Sequence, residues 1–153
     1  MKSVYISYVC IRGGSQFETC IILPMSAENA DELVKYQRTS HRETIQIHYD
    51  PELVSFRSLM DVFLSSVDPH DPDGQFIDRG FSYTLAVYYL SPEPKEAAED
   101  RLRQLEADTG LPVYIKVEPF KSFYRAEEFH QDYYLKHPEE FHRELGESGR
   151  IRE

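Results

Sequence analysis

At 153 residues and 41% hydrophobic content, the chain can bury one core and is too short for two comfortable domains. Its formal net charge of -10, with 17 Lys and Arg against 27 Asp and Glu, excludes a general phosphate-backbone binder, so no nucleic-acid partner is expected and the acidity reads as solubility. No apolar run approaches the ~20 residues of a membrane span, and Met1-Lys2-Ser3-Val4-Tyr5 opens without a signal-peptide core. A cytoplasmic setting is expected, in which Cys10 and Cys20 are free or redox-active thiols rather than a structural staple.

Ser3 to Ile11 alternates and is rich in Val, Tyr and Ile, the pattern of a strand, and Arg12-Gly13-Gly14-Ser15 breaks it. Between residues 16 and 40, Pro24 interrupts an apolar patch and Ala27 to Tyr36 has the form of one helix capped by Ser26. Glu43 to Tyr49 puts Ile45, Ile47 and Tyr49 on one face of a strand that Asp50-Pro51 ends. From Ser55 a helix carries Phe56, Leu59, Met60, Phe63, Leu64 and Val67 at helical spacing. Asp68 to Gly80 is a long loop rich in Pro, Asp and Gly, of a length that in a small domain serves function. Thr84 to Leu90 reads as a central strand buried on both faces. Pro92 to Asp108 reads as an acidic helix with Ala97, Ala98, Leu102 and Leu105 inward and Gly110 as its C-terminal cap. Val113 to Val117 is a further strand, Ala126 to Leu135 a last short helix, and residues 139–153 a charged, fraying tail after a single domain over 1–138. Helices on one open sheet make an α+β fold, here a ferredoxin-like two-layer sandwich on a mixed or antiparallel sheet.

Three stretches carry more than amphipathic patterning needs. Phe123-Tyr124-Arg125-Ala126-Glu127-Glu128-Phe129-His130-Gln131-Asp132-Tyr133 mixes rings, carboxylates and a His-Gln pair. His41-Arg42-Glu43 leads into the strand that ends at Asp50-Pro51, and Asp68-Pro69 leads through Gln75 to Asp78-x-Gly80-x-x-Tyr83. In that order they resemble the peptide methionine sulfoxide reductase A family, whose His-Ala-Glu, strand, Tyr-Asp-Pro and Asn-Asp-x-Gly-x-x-Tyr signatures they follow. The resemblance covers residues 41 to 138; the N-terminal region is diverged or shortened.

The chemistry this resemblance implies is thiol-dependent reduction of methionine S-sulfoxide, peptide-bound or free, through a Cys sulfenic acid. A thiolate attacks the sulfoxide sulfur while the oxygen gains protons, so the site needs a nucleophile and an acid. Cys10 falls where the family has the Cys of Gly-Cys-Phe-Trp-Gly, although the run here is Val9-Cys10-Ile11-Arg12-Gly13 and lacks the rings that grip the substrate methyl. Taken alone, Cys10 reads equally as a small buried hydrophobe on a strand. Cys20 is the candidate resolving thiol. Glu43 matches the carboxylate that donates a proton to the sulfoxide oxygen, a role that needs an apolar pocket to raise its pKa. Asp78 matches the Asp that orients the site and Tyr83 the Tyr that bonds the oxygen. His41, Tyr124, Glu127, His130 and Tyr133 are implied as a polar and aromatic brace behind them. A Gly-Tyr-x-x-Gly run that the family places between nucleophile and His-Ala-Glu is absent, and the interval from Cys10 to His41 is short for the family.

Other chemistries are weaker. Six His and two Cys occur without Cys-x-x-Cys or His-Glu-x-x-His spacing, so no metal is expected. Gly13-Gly14 lacks the rest of a phosphate cradle, and no organic cofactor is implied. The implied partners are the sulfoxide substrate and thioredoxin or a small thiol as reductant, acting on a monomer. The alternative is a catalytically impaired family member kept as a binding or regulatory module.

Overall fold

The computed structural model describes residues 1–7, 18–21, 42–125 and 128–147. Its strands are β1 (Lys2–Ser7), β2 (Glu18–Ile21), β3 (Glu43–Tyr49), β4 (Gly74–Gln75), β5 (Asp78–Arg79), β6 (Ala86–Tyr89), β7 (Lys116–Pro119) and β8 (Tyr124–Arg125). Its helices are α1 (Phe56–Ser66), α2 (Pro92–Thr109), α3 (Tyr133–Lys136) and α4 (Pro138–Glu147). The main sheet has the order β7-β6-β1-β3-β2-β8, with β6 and β7 parallel and the other pairs antiparallel. The parallel pair follows from α2, which fills the crossover between its strands. This mixed sheet with helices packed on it is the expected α+β fold.

Register explains the layering. β1 pairs with β3 from Lys2↔Tyr49 to Ser7↔Thr44, which puts Val4, Ile6, Ile45 and Ile47 on one face. With Leu85 and Val87 they meet Met60 and Phe63 of α1 and Ala98 and Leu102 of α2 in the hydrophobic core. Each of the larger side chains removed from water contributes about 1.5–3 kcal/mol. Helix α1 starts where Ser55 accepts a hydrogen bond from the Ser58 amide at 3.1 Å. Helix α2 has Pro92 at its first turn and ends at Gly110, whose φ of 68° lets its amide donate to the Glu106 carbonyl at 2.8 Å.

The opposite face of the sheet is polar and aromatic. Tyr5 stacks on Phe120 at 4.2 Å, meets Phe123 edge-on at 4.9 Å and accepts a 2.8 Å hydrogen bond from Gln46 Nε2.

Four expectations need correction. The strand expected over Val113 to Val117 runs instead over Lys116–Pro119, because the Val113 amide donates to Glu106 Oε1 and the Tyr114 amide to the Pro69 carbonyl, leaving only the later residues to pair with β6. The helix expected over Ala126 to Leu135 is a 3-10 turn, Glu128–His130, and the short α3, with Asp132 between them at a φ of 55° that no α-helix accommodates. The segment read as a fraying tail is helical over Pro138–Glu147, with Pro138 at the first helical position. Ala97 faces solvent, while Ala98 and Leu102 are buried as expected. The helix expected over Ala27 to Tyr36 lies outside the described residues.

Candidate active site

Glu43 opens β3 on the face of Ile45 and Ile47, two residues before the core begins, and is half-buried at the rim of the sheet. Tyr83 closes a 3-10 turn, Phe81–Tyr83, and packs against the same core. Its phenol is pushed above the ordinary tyrosine range, first by burial and then by the carboxylates of Glu43 and Asp78. Asp78, on β5, is half-buried, and burial pushes its carboxyl above the usual carboxylate range. Two carboxylates distant in sequence thus act on one phenol at a partly desolvated rim.

The loop that presents Asp78 and Tyr83 is held by buried polar bonds. Gln75 is fully buried; its Nε2 donates to the Asp68 carbonyl at 2.8 Å and the Gly74 carbonyl at 2.7 Å, and its Oε1 accepts from the Asp68 amide at 2.8 Å. A buried amide with its bonds made is a rigid clamp. Hairpin β4–β5 turns at Phe76, a non-glycine residue at a φ of 53° whose ring packs on the core. At Gly74 the φ is +151°, and a Cβ there would stand 2.3 Å from the Asp78 carbonyl oxygen, so only glycine fits. The Gly80 amide donates to the Asp73 carbonyl at 2.7 Å, Arg79 pairs with Asp71, and His70 Nδ1 bonds the Pro112 carbonyl oxygen at 2.8 Å. Arg79 holds the Asp71 carboxyl below its usual range.

Of the residues expected at the site, Glu43, Asp78 and Tyr83 are brought together. Cys10, His41 and Glu127 lie outside the described residues. Cys20 sits on β2, which pairs with β3 so that Cys20 stands across from Thr44 and Ile21 across from Glu43. Tyr124 stands across from Ile21 on β8, so one cross-strand row runs Glu43, Ile21, Tyr124. His130 ends the Glu128–His130 turn and Tyr133 opens α3. Gln75 and Arg42 stand within the sequence motifs but are given no role there. Arg42 is buried at 6% exposure beside Glu43, and its only signal was a long cation where the resembled motif has Ala.

An α+β scaffold that carries two carboxylates and a phenol on one half-buried rim has the make-up of a site that moves protons. The family model "Peptide methionine sulfoxide reductase" matches residues 26–150. The peptide methionine sulfoxide reductase MsrA 2 of Staphylococcus aureus is 41% identical over 122 residues, covering 78% of this chain and 68% of the relative. The MsrA of Picrophilus torridus is 39% identical over 105 residues, covering 68% and 59%. Among solved structures, reduced Mxr1 from Saccharomyces cerevisiae shares the fold with a TM-score of 0.77 at 22% identity, covering 90% of this chain and 86% of that one. Methionine sulfoxide reductase A of Corynebacterium diphtheriae shares it at 0.69 and 24%, covering 89% and 74%. The chain belongs to the peptide methionine sulfoxide reductase family and is an oxidoreductase of that type. Among the described residues no helix is long and apolar enough to cross a membrane.

Proposed function

We propose that the chain reduces methionine S-sulfoxide, peptide-bound or free, with Cys10 as nucleophile and Glu43, Asp78 and Tyr83 as the groups that handle the sulfoxide oxygen. The sulfur of Cys10 attacks the sulfoxide sulfur as Glu43 gives the oxygen its proton. The protonated oxygen then leaves the substrate sulfur as water, a water molecule adds to the Cys10 sulfur, and the Cys10–substrate S–S bond breaks with its electron pair going to the substrate sulfur, so methionine leaves reduced by two electrons and Cys10 is left as a sulfenic acid. Cys20 or an external thiol condenses with that acid to give a disulfide and water, and thioredoxin or a small dithiol reduces the disulfide. Asp78 orients the site and Tyr83 donates to the oxygen as charge develops on it. His41, Tyr124, Glu127, His130 and Tyr133 brace these groups. The working compartment is a reducing cytoplasm and the working unit a monomer.

The observation that carries this reading is the effect of the Glu43 and Asp78 carboxylates on the half-buried Tyr83 phenol. A phenol that stays protonated well above neutral pH is a competent donor to an oxyanion. The departures around Val9-Cys10-Ile11-Arg12-Gly13 favour a second reading, a binding module that has lost turnover. Incubation with a peptide S-sulfoxide and dithiothreitol separates the two. Turnover that Cys10→Ser abolishes supports the enzyme; no turnover with intact binding supports the module; turnover surviving both Cys10→Ser and Cys20→Ser excludes the thiol route.

A further inference from the structure

Arg42 is the most deeply buried cation among the described residues, and its partners lie on three different segments: the turn before β6, β6 itself and β7. Its Nε donates to Thr84 Oγ1 at 2.8 Å, and its Nη1 donates to the Tyr88 hydroxyl and to Glu118 Oε2, each at 3.2 Å. The guanidinium carbon lies 4.5 Å from the centroid of the Phe81 ring. Thr84 Oγ1 in turn donates to the Phe81 carbonyl at 2.7 Å. Arg42 precedes Glu43 in the chain, and Phe81 and Thr84 flank Tyr83. Its partners on the far side, Tyr88 and Glu118, belong to β6 and β7.

We propose that Arg42 is a positioning residue for the sulfoxide site, its fork fixing the separation of Glu43 and Tyr83 by gripping Thr84 and Phe81 on one side while Glu118 neutralises it on the other. This rests on the proposed function of those two residues. A planar fork anchored at three acceptors and laid on a ring has little freedom left, and a lysine gathers its donors on a single nitrogen and has no plane to stack. The motif residue it replaces, Ala, could make none of these bonds. A buried guanidinium without Glu118 and the hydroxyls would be costly, so the arrangement holds as a unit. Its two halves do different things: the bonds to Phe81 and Thr84 set the site, and the pair with Glu118 keeps the charge tolerable.

The test compares Arg42→Lys, Thr84→Val, Thr84→Ser and Glu118→Gln by kcat, KM and thermal melting, with the Tyr83 titration followed by NMR of ring-labelled protein and assigned with Tyr83→Phe. Displacing a catalytic group by about 1 Å costs on the order of a hundredfold in rate, so Thr84→Val and Arg42→Lys are expected to lower kcat about tenfold or more with KM changed about twofold or less. Thr84→Ser, which keeps the hydroxyl, restores kcat. Glu118→Gln lowers the melting temperature more than it lowers kcat. Thr84→Val changes no charge, so its Tyr83 titration moves toward the ordinary value only if Glu43 and Asp78 have drawn away from the phenol or solvent has entered. The proposal is overturned if kcat falls in proportion to stability across all four variants, or if Thr84→Val leaves both kcat and the Tyr83 titration unchanged. A wild type without turnover whose Tyr83 titration nevertheless moves in Thr84→Val would leave the bracket standing and remove the assigned activity.

Discussion

The two faces of the central sheet are built from different interactions. On the helix side, Val4, Ile6, Ile45, Ile47, Leu85 and Val87 meet Met60, Phe63, Ala98 and Leu102, and nothing in that contact is directional. On the other side, Tyr5, Ser7, Arg42, Thr44, Gln46 and Tyr88 make bonds with fixed lengths and angles. Apolar packing makes the fold stable and tolerates small displacements; directional bonds set distances and tolerate few. The proposed site lies where the faces meet, with Glu43 at the edge of the apolar side and Arg42, one residue earlier, tied into the polar side.

Perturbing the two sides should therefore separate stability from activity. Phe63→Ala opens a cavity in the core and is expected to cost about 3–5 kcal/mol, measured by urea unfolding, with activity per folded chain preserved. If activity per folded chain collapses as well, the division of labour is wrong. Gly74→Ala drives a Cβ into the Asp78 carbonyl and must shift the hairpin; kcat should drop about tenfold to a hundredfold, and a crystal structure should show β5 displaced.

Asp78→Asn tests the rim itself. Because burial raises the Asp78 carboxyl, the folded state binds its proton more tightly than the unfolded chain, so stability declines as pH rises from the ordinary carboxylate range through the raised value. At neutral pH the asparagine variant should melt higher than wild type while turning over more slowly; equal melting would mean that Asp78 carries no desolvation cost. The smallest effect is expected at Asp71, whose pKa is lowered by Arg79. Its stabilisation is present above the ordinary carboxylate range and is lost as pH falls through the lowered value, so Asp71→Asn should slightly lower the neutral-pH melting temperature, leave the strongly acid one unchanged and thereby flatten the acid limb of a melting profile.

Much of this was legible in the sequence. Ile45, Ile47 and Tyr49 alternate on β3 as a strand with one buried face requires, and the caps at Ser55 and Gly110 mark their helices. Glu43, Asp78 and Tyr83 each sit in a motif, and the fold brings the two carboxylates near enough to Tyr83 to raise its phenol. Periodicity, however, reports burial and not hydrogen-bond competition. Val113 has the pattern of a strand residue, yet Glu106 captures its amide first. Asp132 gave no sign that its backbone would turn left-handed and split a helix. Arg42 was opaque for a related reason: a cation before a strand is ordinarily solvated, and only long-range pairing with Thr84, Tyr88 and Glu118 makes its burial possible.

The most direct measurement is single-turnover reduction of a peptide S-sulfoxide by prereduced protein, with no reductant added, in wild type and Glu43→Gln. Wild type should release one methionine per chain in a burst, and the variant should do so about a hundredfold or more slowly with its melting temperature unchanged. A burst of undiminished rate in the variant would contradict the assignment of Glu43 as the proton donor.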